Sequence, residues 1–120
     1  MRYLLDTNIV SDMIRNPHGR SVARFNAVDP RHVAVSIIVA AELRFGATKR
    51  ASPVLSERVQ TFLGNIDIIP FAHPADAFSA DIRNRLEELG RPIGANDLLI
   101  AAHALALDRI VVTDNKEKFS

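Results

Sequence analysis

The sequence predicts an α/β domain in three layers, with helices on both faces of a short, mainly parallel central sheet of about four strands. Two observations carry that expectation. Four short apolar runs, at 2–5, 32–36, 66–71 and 109–113, are each bounded by polar or turn-forming residues. Between them lie longer stretches whose apolar residues recur at helical spacing. At 120 residues the chain has room for one domain, expected over 1–120, and no repeat or linker divides it.

The elements follow in order. Arg2-Tyr3-Leu4-Leu5 is the first strand, and it stops at Asp6-Thr7-Asn8, whose polar side chains can cap a helix. Ile9, Val10, Met13 and Ile14 give that helix its apolar face, and Asn16-Pro17-His18-Gly19 breaks it. Val22 and Phe25 mark a short second helix before the Asp29-Pro30 turn. His32 to Ser36 reads as a strand and Ile37 to Thr48 as a helix. Ser52 caps a helix with Pro53 in its first turn and a stripe of Leu55, Val59, Phe62 and Ile66. Ile66 to Phe71 is the third strand. Pro74 opens a helix with Phe78, Ile82, Leu86 and Leu89 on one face, closed by Gly90. Asn96-Asp97 starts a helix apolar nearly all round, Leu98 to Leu107, and therefore expected to be central and buried. Arg109 to Thr113 is the last strand, ending at Asp114.

Composition sets outer limits on function. Hydrophobic residues are 48% and charged residues 24% of the chain, the balance of an ordinary soluble globular protein. With no cysteine, disulfide scaffolds, thiolate zinc sites and thiol nucleophiles are excluded, in keeping with a reducing cytoplasm. No signal peptide is visible and no apolar run approaches the roughly 18 residues of a membrane span. The net charge of +1 and a pI near 8.3 fall short of the pI above about 9 typical of nucleic-acid binders that rely on a charged stripe. Six Phe, one Tyr and no Trp advertise no base-stacking platform. Any action on nucleic acid must come from a localised site.

Four acids suggest one. Open α/β sheets bind ligands beyond the carboxyl ends of their strands, and Asp6 follows the first strand while Asp114 follows the last. Asp97 lies in the first turn of the apolar helix. Glu42 is anomalous differently: its helical neighbours Ile38, Val39, Phe45 and Gly46 offer no ion pair. An acid left unpaired in the interior costs several kcal/mol, so Glu42 is expected to find compensation, from a distant Arg44 or Arg109 or from a site. Taken singly, Asp6 and Asp97 are explained as helix caps or first-turn acids, and Asp114-Asn115 as a turn. Taken together they converge on one end of the sheet. Two unit charges about 5 Å apart repel by roughly 3 kcal/mol at an effective dielectric of about 20, so four carboxylates sharing a crevice call for a cation. Oxygen ligands without thiolates favour a hard divalent ion such as Mg²⁺ over zinc. Such an ion, with open water positions, suits phosphodiester hydrolysis.

These segments match a known family. Leu4-Leu5-Asp6-Thr7-Asn8, Ser36 with Ala41-Glu42-Leu43-Arg44-Phe45-Gly46-Ala47, Pro92-Ile93-Gly94-Ala95-Asn96-Asp97 running into Leu98-Leu99-Ile100-Ala101-Ala102-His103-Ala104, and Val112-Thr113-Asp114-Asn115 occur in order along nearly the whole chain. The sequence resembles the PIN-domain ribonucleases, and more closely the VapC-type toxins of bacterial toxin–antitoxin pairs. The resemblance implies a PIN-like fold and an acidic quartet of Asp6, Glu42, Asp97 and Asp114 that holds Mg²⁺ or Mn²⁺ and cleaves RNA. It places Asp6 and Asp97 most directly on the metal, with Glu42 and Asp114 completing the pocket. Thr7, Asn8, Ser36 and Asn115 would aim the carboxylates. A homodimer held inactive by a cognate VapB-type antitoxin is also implied. The sequence departs from the family at Ala95, where many relatives carry proline, and at Lys118, where some carry an acid. The family's usual continuation past Phe119 is expected to be absent.

Rival readings are weaker. Aspartyl-phosphate phosphatases want a second Asp where Asn8 stands, and receiver domains want adjacent acids near the first strand. A metal-free ribonuclease would need paired histidines, whereas His18, His32, His73 and His103 are scattered, and His103 is expected to be packed in its helix. A PIN-like module that binds RNA or a partner without cutting is the remaining alternative. It gives no reason to keep four mutually repelling acids.

Overall fold

The computed structural model describes residues 1–113. Four strands, β1 (Tyr3–Leu5), β2 (Val33–Ser36), β3 (Asp67–Ile69) and β4 (Ile110–Val112), alternate with six helices. The helices are α1 (Thr7–Arg15), α2 (Arg20–Asn26), α3 (Ile37–Arg50), α4 (Pro53–Gly64), α5 (Ala75–Glu88) and α6 (Ala95–Leu107). A 3₁₀ turn at Pro30–His32 leads into β2. None of the helices is long and apolar enough to cross a membrane among the described residues.

The sheet order is β3-β2-β1-β4 and every pairing is parallel. The chain therefore starts in the middle, steps outward to β2 and β3, then returns to add β4 on the other side of β1. That reversal makes the β1/β4 boundary the topological switch point, where crevices open in such sheets. Helices on the outward steps and helices on the return step must lie on opposite faces if the crossovers keep one hand. The packing agrees: α1, α3 and α4 contact one another, and α5 packs on α6, which leans on β4.

Strand alternation distributes the core. Tyr3, Leu5, Val33 and Val112 line a cavity together with α1 and α2. Leu4, Ala34 and Ser36 turn to the opposite face, where α6 meets Ser36. Leu4, Val10, Val35 and Val39 are fully buried, each contributing roughly 1.5–3 kcal/mol of burial.

Most helix ends are where the punctuation puts them. Asp6, Ser36 and Ser52 cap α1, α3 and α4 with side-chain oxygens that accept from Ile9, Ile38 and Leu55. Gly90, at φ 65°, stands just past α5 in the left-handed region glycine favours. Three expectations need correction. Helix α4 ends at Gly64, so Ile66 lies outside it and Leu63 is buried with Val59 instead. On α5 only Ala75 is buried, and Phe78 and Leu89 are exposed, because this helix packs chiefly on α6 and not on the sheet. Helix α6 is buried nearly all round its middle, through Leu98, Ile100, Ala102, His103 and Ala104, but not to its end, where Leu105 faces outward.

Candidate active site at the strand ends

Asp6 stands at the β1/β4 switch point. Its backbone N–H donates to the Val112 carbonyl at 3.0 Å, and its Oδ1 accepts from the Ile9 N–H at 2.9 Å. It is buried, with only 8% of its surface exposed. The cap reading of this residue is thus correct, and it does not compete with a site reading, since a carboxylate offers about four acceptor positions.

Thr7, the first residue of α1, donates its hydroxyl to Glu42 Oε1 at 2.7 Å. This bond brings the α3 acid to the residue next to Asp6. The expectation that Glu42 lies in the interior is corrected: it is half-buried. The core of that helix is formed by Val39, Ala40, Leu43 and Ala47, and Phe45 points to solvent. Arg44 donates to Gln60 instead and Arg109 to the Tyr3 carbonyl. Among the described residues the ion pairs are Arg31–Asp29, His73–Asp76 and Arg83–Glu87, none of which includes Glu42.

Asn8 is exposed and shares with Thr7 and Glu42 a cleft of about 300 Å³ between α1, α3 and α4. Arg15 and Arg50 border the same cleft, over a floor that includes Leu43, Ala47 and Val59. From the sequence alone the Lys49-Arg50 pair reads as part of a solvated helix face, and nothing local distinguishes a cation on a cleft rim from one in open solvent.

Asp97 is exposed in the first turn of α6. The far end of α6 leads into β4, whose first N–H donates to the Arg2 carbonyl at the start of β1. The N-terminal end carrying Asp97 therefore lies on the strand-end side of the sheet. Asp114 and Asn115 lie outside the described residues. Among those described, no group of three or more His, Asp or Glu side chains is gathered tightly enough to hold a metal ion. The structure thus brings Asp6, Thr7 and Glu42 together and sets Asp97 on the same side of the sheet. Oxygen donors of this kind fit Mg²⁺ or Mn²⁺, because magnesium is commonly held by one or two carboxylates and completes its shell with water.

Ser36 and His103 form a feature that sequence reasoning missed. Ser36 is the last residue of β2 and is fully buried. Its Oγ accepts from the Ile38 N–H at 3.1 Å, and it lies 2.8 Å from His103 Nδ1. Since that oxygen already accepts a hydrogen bond from Ile38, its own proton is available to Nδ1 of a neutral ring. His103 is itself 1% exposed and meets Phe71 edge-on at 5.2 Å. Burial pushes the imidazole below its ordinary pKa; the Pro70 carbonyl opposes this, and the positive Arg109 reinforces it. The residue is packed, as expected, and its partner 67 residues away left no local signal.

Comparison with known proteins bears on the family and the fold. The PIN domain family matches residues 3–120. The chain is 36% identical to ribonuclease VapC2 of Rickettsia felis, over 99% of this chain and 90% of that protein. It is 32% identical to the tRNA(fMet)-specific endonuclease VapC of Shigella flexneri, with the same coverage of each. Among solved structures, the Rickettsia felis VapBC2 complex bound to a promoter DNA fragment superposes with a TM-score of 0.87 at 35% identity, over 99% of this chain and 91% of that one. The DNA-bound VapBC of Salmonella typhimurium gives 0.87 at 30% identity, over 99% and 90%. A parallel β3-β2-β1-β4 sheet between two helical layers, with an acid at its switch point, is therefore the PIN fold, and the chain belongs to the PIN-domain family, among its VapC-type ribonucleases.

Proposed function

We propose that this protein is a Mg²⁺- or Mn²⁺-dependent endoribonuclease, the toxin of a VapB/VapC-type pair, acting in the cytoplasm as a homodimer. The observation that carries the reading is the Thr7–Glu42 hydrogen bond beside Asp6, which assembles two carboxylates at the sheet's switch point. A neutral binding surface has no use for that repulsion.

Asp6 and Asp97 would hold the ion, with Glu42 and Asp114 completing its surroundings. The bound ion supplies neutralisation of phosphoryl charge and a more acidic water. Thr7 fixes Glu42 through Oε1 and so presents Oε2 to accept a proton from the attacking water. Asn8, Ser36 and Asn115 would orient the acids. The water oxygen bonds to phosphorus as the P–O3′ bond breaks, and the departing O3′ takes a proton from solvent, leaving a 5′-phosphate and a 3′-hydroxyl. Arg15 and Arg50 on the cleft rim offer charge to flanking phosphates. Because a relative is named as tRNA(fMet)-specific, tRNA belongs among the first substrates. The solved VapBC complexes support a VapB-type antitoxin as the partner that silences the site.

The test is cleavage of an RNA panel including tRNAs by the antitoxin-free chain, with Mg²⁺, Mn²⁺ or EDTA, and with Asp97→Asn. Metal-dependent cleavage leaving 5′-phosphates, lost in the variant, is expected. Cleavage that resists EDTA or ends in a cyclic phosphate overturns the reading. A folded, antitoxin-free chain that binds RNA and never cuts it turns the protein into a binding module.

A further inference from the structure

We infer that the buried Ser36–His103 hydrogen bond is the pin that sets the register of α6 against the sheet, and through it the position of Asp97 at the active site. The inference rests on reading Asp97 as a site acid.

Helix α6 has little else to hold its register. Apart from Asn96, Asp97 and His103 it consists of Ala, Leu and Ile. Apolar packing is non-directional, and a small-residue surface offers several nearly equivalent seats. Among the described residues, the side-chain hydrogen bonds that leave α6 both come from His103, one to Ser36 Oγ and one to the Pro70 carbonyl just past β3. β4 anchors the chain beyond the helix's far end through the Arg109 guanidinium on the Tyr3 carbonyl, but Asp97 is at the other end. A hydrogen bond needs heavy atoms within about 0.3 Å of their best separation, so this bond defines position where packing does not.

Its placement links the acids. Ser36 is both the end of β2 and the cap of α3, and Glu42 lies six residues after it. Asp97 lies six residues before His103, about 9 Å along the helix axis. One buried bond thus ties the helix carrying Glu42 to the helix carrying Asp97. In the chain Ile38 N–H to Ser36 Oγ to His103 Nδ1, a neutral ring lets the Ser36 hydroxyl donate to Nδ1 while its oxygen accepts from Ile38, and burial favours that neutral form. His103 is accordingly a positioning residue and touches neither substrate nor metal.

The experiment compares His103→Phe, which keeps a ring against Phe71 but has no acceptor, with His103→Asn, whose Oδ1 stands near the lost Nδ1. Ser36→Ala and the Ser36→Ala/His103→Phe pair complete a cycle, and Asp97→Asn is the control. On the full, antitoxin-free chain, three quantities are read: Mn²⁺ affinity by titration, kcat and KM on a cleaved RNA, and amide exchange over Leu98–Ala102. His103→Phe is expected to weaken Mn²⁺ binding and lower kcat by roughly ten- to a hundredfold, with KM little changed and faster exchange in α6. His103→Asn should recover much of each, and the double variant should lose no more than the worse single one. A His103→Phe protein that is merely less stable, with Mn²⁺ affinity, kcat and α6 exchange as in the wild type, overturns the inference. So does a His103→Asn protein as impaired as His103→Phe. If His103→Phe does not fold, Ser36→Ala against His103→Asn decides by the same readouts. Should Asp97→Asn keep full cleavage and Mn²⁺ affinity while His103→Phe still loosens α6, it is the reading of Asp97 that has failed and not the pin.

Discussion

Thr7 and Glu42, 35 residues apart in sequence, are joined by a 2.7 Å hydrogen bond that carries the α3 acid to the residue beside Asp6. The bond is half-buried, so its loss leaves Glu42 able to find water. Thr7→Val, which keeps the shape, should therefore lower stability by less than about 1 kcal/mol while lowering kcat by roughly tenfold. Thr7→Ser should restore most of the rate. Steady-state cleavage beside a denaturant melt separates the two effects, and a stability loss with unchanged kcat would sink the orienting role.

Divalent ion should stabilise the fold through the same acids. Ion at a hundred times its dissociation constant adds about 2.7 kcal/mol, a Tm rise on the order of 10 °C for a domain this size. Mg²⁺ or Mn²⁺ should raise Tm, EDTA should reverse it, and Asp97→Asn should remove most of the gain. A Tm indifferent to both ions in the wild type would contradict carboxylate-held metal.

Much of this arrangement is legible in the sequence, and the failures have a common cause. Asp6, Ser36, Ser52 and Gly90 mark helix ends through local chemistry, a matter of capping and φ, so they could be read directly. The burial of Glu42 could not. With apolar residues on both sides of α3, periodicity does not say which side meets the sheet, and Phe45, counted as a buried neighbour, is 66% exposed. The stripe on α5 misled in the same way, since its partner is α6 and not the central sheet. Ser36 and His103 meet only because the chain reverses after β3 and lays α6 across the end of β2, a relation set by topology. The acids at 6, 42 and 97 could be nominated from position, whereas what orients them could not.

Self-association should run through α3. Ile37, Ala41 and Phe45 stand four apart and share one exposed helix face, an apolar stripe of the kind that marks interfaces. Phe45→Glu should convert a dimer to a monomer in sedimentation equilibrium while leaving the fold intact. A wild-type chain that stays monomeric across the concentration range would remove this surface as the dimer contact.

Ala51 ends α3 in the left-handed region, at φ 51°, where a Cβ is disfavoured by roughly 1–2 kcal/mol. Ala51→Gly relieves that strain and regains part of it against the looser unfolded chain. The net expectation is a gain of about 0.5–1 kcal/mol with unaltered cleavage, measured by urea unfolding. A loss of stability would mean that the left-handed cap is not strained.

Stability should also fall on mild acidification because of His103. Burial holds its folded pKa below the ordinary value, with Pro70 opposing and Arg109 reinforcing. The unfolded chain takes up a proton near the usual histidine pKa of about 6.5, while the native ring stays neutral. The unfolded state then binds more protons, and stability rises with pH wherever that holds. The His103 contribution is therefore complete above about pH 6.5 and is lost as pH falls below it, until the native ring itself protonates. The slope cannot exceed about 1.4 kcal/mol per pH unit, one proton's worth. Asp29 and Asp76, held below the ordinary carboxylate range by the Arg31 side chain and by His73, lose their contributions only below about pH 4, so the windows do not overlap. Urea melts at about pH 7.5 and about pH 5.5 should show the wild type losing more stability than His103→Asn, which has no proton to take up in this range. Equal losses in the two proteins would place the acid sensitivity elsewhere.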